Sequence, residues 1–163
     1  MLFRSSMVPS AELVRYSNSG TEAVMAALRV GRAVSNRDGY IMVEGGYHGV
    51  WDAALWDIDI DEWNPEEGEP EIKPSSKGVP NITGDLVSLV PFNDANALED
   101  LLKEKHNEIG TLMIEPILGN CCSISATQEY MEAVRELCTK YDIDRKSTRL
   151  NSSHQIISYA VFC

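Results

Sequence analysis

Apolar residues recur along this chain with two different periods, and the alternation between them outlines a fold. Over 21–35, Ala23, Ala27, Leu28 and Val30 fall along one side at helical spacing, and Ala26 and Ala33 are small enough to admit a close neighbour, so a helix is predicted there. Gly39 precedes an apolar run over 40–43, which reads as a buried strand stopped by Glu44-Gly45-Gly46. A strand over 86–90 follows, then a helix over 93–106 with Leu98, Leu101 and Leu102 on its buried face. Another strand over 109–114 ends at Glu115-Pro116. Ser125 and Gln128 are spaced as a capping box for a helix running to Lys140, whose core side carries Met131, Val134 and Leu137. The next strand is expected to begin near 141–143, and at the other end 12–16 is a short β-prone run leading into Ser17-Asn18-Ser19-Gly20. Strands alternating with helices predict an α/β fold built on a largely parallel sheet.

Two stretches fall outside this pattern. From 57 to 80 the chain is acidic and proline-bearing, with Asp57, Asp59, Asp61, Glu62, Glu66, Glu67, Glu69 and Glu71, and is expected to form a solvated excursion rather than a packed element. The last stretch, DRKSTRLNSSHQIISYAVFC over 144–163, has no periodicity before its final apolar residues. It back-translates codon by codon into a common short-read library adapter, with Gln155 and Ile156 in the index slot. Residues 144–163 are therefore expected to be adapter-derived, and 6–143 to be the genuine part of one partial domain. Leu2–Ser5 also fit the insert-facing end of such an adapter, with an ordinary start codon as the alternative.

Composition narrows the classes of function. With 163 residues, 44% hydrophobic and 24% charged, the chain suits one ordinary globular domain. The formal net charge of −11 argues against nucleic-acid and anionic-membrane partners. No apolar run has the length of a membrane span and no leader pattern opens the sequence, so a cytoplasmic location is expected. Cys121, Cys122, Cys138 and Cys163 do not make a disulfide framework, and no metal site is expected.

In sheets of this kind ligands bind beyond the carboxyl ends of the strands, where loops meet helix N-termini. Three stretches belong there. Ser19-Gly20-Thr21 has the chemistry of a phosphate cradle: glycine lets the backbone approach an anion, helix N–H groups face it and two hydroxyls can donate. The same tripeptide also reads as a plain N-cap. Tyr47 could lay a flat ring on a planar ligand or pack on its own loop, and His48 could carry a proton or serve as a structural hydrogen-bonder. Glu115 could orient a polar ligand group or cap a neighbouring helix, and Asn120 could bind a ligand oxygen or support a turn.

Taken together these stretches resemble the class III aminotransferases, which are fold-type I pyridoxal-phosphate enzymes. VPSAELVRYSNSGTEAVMAALRVGRA, EGGYHG, IEPILGN and YMEAVRELCTKYD occur in family order with family spacing, across 8–143. The VPSAE start, the PSSKGVP turn and the EPILGN loop are similar to the glutamate-1-semialdehyde 2,1-aminomutase branch. The resemblance implies a partial large domain of that fold, amino-group transfer on pyridoxal phosphate, an amino-acid or amino-ketone substrate and a homodimeric parent. It implies that Ser19, Gly20 and Thr21 hold the cofactor phosphate and that Tyr47 stacks on the ring with His48 beside it. Glu115 would reach the cofactor or a bound amino acid, and Asn120 the vicinity of the ring hydroxyl. The family's next strand carries an aspartate that pairs with the ring nitrogen, and a Schiff-base lysine follows further on; neither is expected in this chain, which is thus expected to be inactive. The acidic stretch departs from the family pattern. The alternatives are a non-catalytic α/β module for a phosphorylated ligand and another fold-type I enzyme, such as a decarboxylase.

Overall fold

A computed structural model describes residues 15–59, 71–147 and 161–162. Its centre is a sheet of parallel strands covered on both faces. Helix α1 (Gly20–Ser35) is followed by β1 (Gly39–Val43), by the short antiparallel pair β2 (Trp56–Ile58) and β3 (Ile72–Pro74), and by β4 (Val87–Val90). Then come α2 (Ala95–Lys105), β5 (Ile109–Ile114), a small hairpin of β6 (Ile117–Leu118) and β7 (Ile124–Ser125), and α3 (Gln128–Lys140). β8 (Asp144–Ser147) and β9 (Val161–Phe162) end the series. The sheet order is β4-β1-β5-β8-β9, parallel from β4 to β8, with β9 antiparallel at the edge.

Alternation along β1 explains the layers. Ile41 and Val43 face one way and join Leu98, Leu102, Leu112, Val134 and Leu137 in a core under α2 and α3. Tyr40 and Met42 face the other way and join Val24, Leu28 and Met113 under α1. With both faces covered, every residue of β5 is buried, as a parallel strand between helices requires.

Several expectations need correction. Val30 is exposed, and the buried stripe of α1 is Ala23, Val24, Ala27, Leu28 and Gly31, a cleaner run of three- and four-residue steps. Gly31 marks the closest approach: a Cβ there would stand 2.2 Å from Thr111 Oγ1 on β5. Helix α3 is capped by Thr127, whose hydroxyl accepts the Tyr130 N–H at 3.1 Å, and not by Ser125, which belongs to β7. The excursion is partly packed. Val79 is buried in the α1-side core, Ile72 packs against it, and β2 pairs with β3; residues 60–70 lie outside the described residues. Residues 15–17 form no strand, and 12–14 lie outside the described residues. The strand expected near 141–143 spans Asp144–Ser147, inside the stretch set aside as foreign. No helix among the described residues is long and apolar enough to cross a membrane.

Candidate functional site

The three candidate stretches all open at the carboxyl edge of the parallel sheet. α1 runs back along the sheet before β1, so its N-terminus lies at that edge, beside the loop leaving β1 and the loop leaving β5.

Ser19 is the N-cap of α1, with extended backbone, and its Oγ accepts the Glu22 N–H at 3.2 Å. The Glu22 carboxylate folds back onto the Asn18 N–H at 2.7 Å. Thr21 Oγ1 accepts the Val50 N–H at 3.4 Å. Both hydroxyl oxygens are thus acceptors, which leaves each hydroxyl hydrogen to donate to a ligand oxygen. The N–H groups of Gly20 and Thr21 start the helix, where no intrahelical acceptor exists and the helix dipole is positive. Two hydroxyls and two amide N–H groups thus stand within three consecutive residues at a helix start, where an oxyanion is electrostatically favoured.

The loop after β1 closes on this cradle. Gly49 adopts a φ of 102°, and a Cβ on it would lie 2.6 Å from Thr21 Oγ1 and 3.0 Å from Thr21 Cα. Only glycine allows that approach at that φ. Within the same turn Tyr47 is 37% exposed and His48 is 1% exposed, so the imidazole lies inside while the tyrosine keeps surface accessible to a ligand. Burial pushes the His48 imidazole down to about 4, and the ring is neutral at neutral pH. A neutral imidazole offers one donor and one acceptor, which suits orientation better than charge pairing.

Glu115, the first residue after β5, is fully buried, and its Oε2 accepts the Gly119 N–H at 3.2 Å. It ties the turn that presents Asn120, which is exposed at the tip of the β6–β7 hairpin. Cys121 Sγ reaches the Gly45 carbonyl oxygen at 3.5 Å, which joins this loop to the one carrying Tyr47 and His48. Glu44, at the start of that loop, has its carboxyl raised by burial and by Asp57. Sequence reasoning thus chose stretches that the fold brings to one edge. It did not show the contacts that lock them together: Gly49 and Val50 on Thr21, and Cys121 on Gly45. Gly49, closing the Tyr47-His48-Gly49 turn, was the available signal.

Comparisons with known proteins identify the family and the fold. The model of the family described as aminotransferase class-III matches residues 2–143. Glutamate-1-semialdehyde 2,1-aminomutase of Methanosphaera stadtmanae is 38% identical over 130 residues, which is 80% of this chain and 29% of that protein. The enzyme of the same name from Methanocaldococcus jannaschii is 38% identical over 136 residues, 83% of this chain and 30% of its own length. The chain therefore spans less than a third of these relatives. Among solved structures, an omega-transaminase from Sphaerobacter thermophilus superposes with a TM-score of 0.77 at 31% identity, covering 86% of this chain and 32% of that one. A transaminase with PLP bound gives 0.75 at 27% identity, covering 88% and 32%. The α/β fold is that of the fold-type I transaminases, and the chain belongs to the class-III aminotransferase family.

Proposed function

We propose that Ser19, Gly20 and Thr21 hold the phosphate of pyridoxal phosphate, that Tyr47 covers a face of its ring with His48 beside it, and that Glu115 and Asn120 serve its polar edge or a bound amino acid. The parent enzyme is an aminotransferase or aminomutase, cytoplasmic and homodimeric, acting on an amino acid or amino ketone. The observation that carries this reading is the donor set at the start of α1. Two hydroxyls already accept backbone N–H bonds and keep their hydrogens for a ligand, next to two amide donors and a glycine-only contact. That set suits a phosphate group. When bound, the cofactor supplies the electron sink for amino transfer. The chain's own part is to grip the phosphate, lay an aromatic face on the ring and present a neutral imidazole beside it.

On the same reading the chain itself has no turnover. Lys73 pairs with Asp59, Lys103 with Asp100 and Glu99, Lys140 with Glu99, and Lys146 with Asp144, while Lys77 follows β3 and Lys105 ends α2. These positions favour a cofactor-linking lysine in a part of the parent beyond this chain. Residues 144–163 are foreign on this reading. The family match stops at residue 143, and β8 fills a strand position between α1 and α3 with Asp144, Arg145 and Lys146. Sequencing the parent gene beyond the codon for Ile143 tests the proposal. The expected continuation is an apolar strand ending in Asp-Glu, with a lysine further on. A genomic continuation reading DRKSTRLNSS, or amino transfer by the purified chain, would overturn it.

A further inference from the structure

The segment that carries Tyr47 and His48 is held by side chains rather than by a strand partner. Three aromatic residues each spend their one polar hydrogen on a carbonyl of this segment. Tyr40 Oη, from β1, donates to the Ala53 carbonyl at 2.7 Å. Trp56 Nε1 donates to the Asp52 carbonyl at 3.0 Å, and Trp51 Nε1 donates to the His48 carbonyl at 3.1 Å. Their rings stay apolar: Tyr40 and Trp56 are buried in the α1-side core, and Trp51 packs against it. Loop carbonyls near a core need partners, and tyrosine and tryptophan supply them without giving up apolar contact.

The Trp51 contact acts at a particular peptide plane. The His48 carbonyl belongs to the His48–Gly49 peptide, whose orientation sets both the ψ of His48 and the 102° φ of Gly49. At that φ Gly49 lies against Thr21, and directly before it His48 is buried while Tyr47 is 37% exposed. A short helical turn, Asp52–Ala54, follows Trp51 directly, with the Ala54 N–H on the Trp51 carbonyl at 2.8 Å. The tryptophan therefore stands on a fixed base when it grips the peptide behind Tyr47.

We infer that Trp51 is a positioning residue for the cofactor ring, acting through the His48 carbonyl on the orientation of Tyr47. This rests on the cofactor reading above. It adds a consequence of its own: the indole N–H serves the ring contact and not the phosphate grip, which α1 builds from Ser19, Gly20 and Thr21.

The test uses the full chain with pyridoxamine phosphate and, separately, inorganic phosphate, binding being followed by titration calorimetry. Trp51→Phe keeps an aromatic body and removes the N–H. It is expected to weaken pyridoxamine phosphate by about fivefold, the worth of one net hydrogen bond, and to leave inorganic phosphate unchanged. In a background of Tyr47→Ala the same substitution should have no further effect, because the ring that it positions is gone. Equal loss for both ligands, or losses at Trp51 and Tyr47 that simply add, would overturn the inference while leaving the cofactor site standing. A wild-type chain that binds neither ligand overturns the cofactor reading and this inference with it. Should Phe unsettle the segment, benzothienylalanine, which keeps the outline of tryptophan without its N–H, carries the same expectations.

Discussion

Gly49 rests directly on Thr21, with a φ of 102° and no room for a side chain: a Cβ would meet the threonine hydroxyl at 2.6 Å. This one contact couples the loop after β1 to the helix that opens the candidate phosphate cradle. Gly78 provides a control, since its φ of 97° is similar but a Cβ there would meet nothing within 4 Å. Both Gly→Ala changes pay the backbone cost of about 1 kcal/mol or more. Gly49→Ala should be more destabilising than Gly78→Ala in urea melts. Equal effects at both glycines would mean that the Thr21 contact contributes nothing.

His48 gives a pH signature. Its imidazole is buried and lowered to about 4 in the folded chain, against 6.5 when free. Between these values the unfolded chain binds a proton that the folded chain refuses. The stability tied to the neutral ring is therefore complete above 6.5 and is lost as pH falls toward 4, by roughly 3 kcal/mol if the full shift is realised. His48→Gln should flatten the slope of unfolding free energy against pH in this window, whatever it does to the absolute stability. An unchanged slope would show that His48 is not held neutral by burial.

β8 carries an ion pair with a buried lysine where its neighbour β5 is uncharged, its polar side chain being Thr111. Lys146 is 2% exposed and pairs with Asp144, opposite Met113 and Thr111 respectively. Removing one partner strands the other charge, so Lys146→Ile alone should cost about 3 kcal/mol or more. Replacing both, Asp144→Leu with Lys146→Ile, should recover that loss and leave the chain as stable as the parent sequence or more so by about 1–4 kcal/mol. Chemical denaturation of the single and double variants checks the sign. A double variant less stable than the single one would contradict the account.

Helix α3 separates two sequence signals. Thr127→Ala should cost about 1 kcal/mol, because its hydroxyl caps the helix at the Tyr130 N–H, while Ser125→Ala should be near neutral. The same thermal melt reads both variants.

The contrast at Ser125 and Thr127 shows how far the sequence could be read. Periodicity located β1, β5 and the three α-helices of the described residues, because burial on both faces of the sheet leaves long apolar signals such as Tyr40–Val43 and Ile109–Ile114. It did not locate the α3 cap, since two hydroxyl residues stand close together and only the backbone decides which accepts. It also treated the acidic stretch as unpacked. Trp56 and Val79 lie within or beside it and are buried, but two apolar residues among many carboxylates give no period to detect. The candidate site was legible as three stretches, whereas its fastenings were not. Gly49 on Thr21 and Cys121 on Gly45 are contacts between distant parts of the chain, and Trp51 on the His48 carbonyl is a side-chain-to-backbone bond with no sequence signature.

The most direct test of the central claim is phosphate dependence. Pyridoxamine phosphate and pyridoxamine share the ring and the amine and differ only in the group assigned to Ser19, Gly20 and Thr21. Titrating each into the purified chain should show binding of the phosphorylated form alone, weakened at least about tenfold in a Ser19→Ala, Thr21→Val double variant that removes two donors to a charged group. Equal affinity for the two compounds, or undiminished binding of the phosphorylated form by the double variant, would contradict the account.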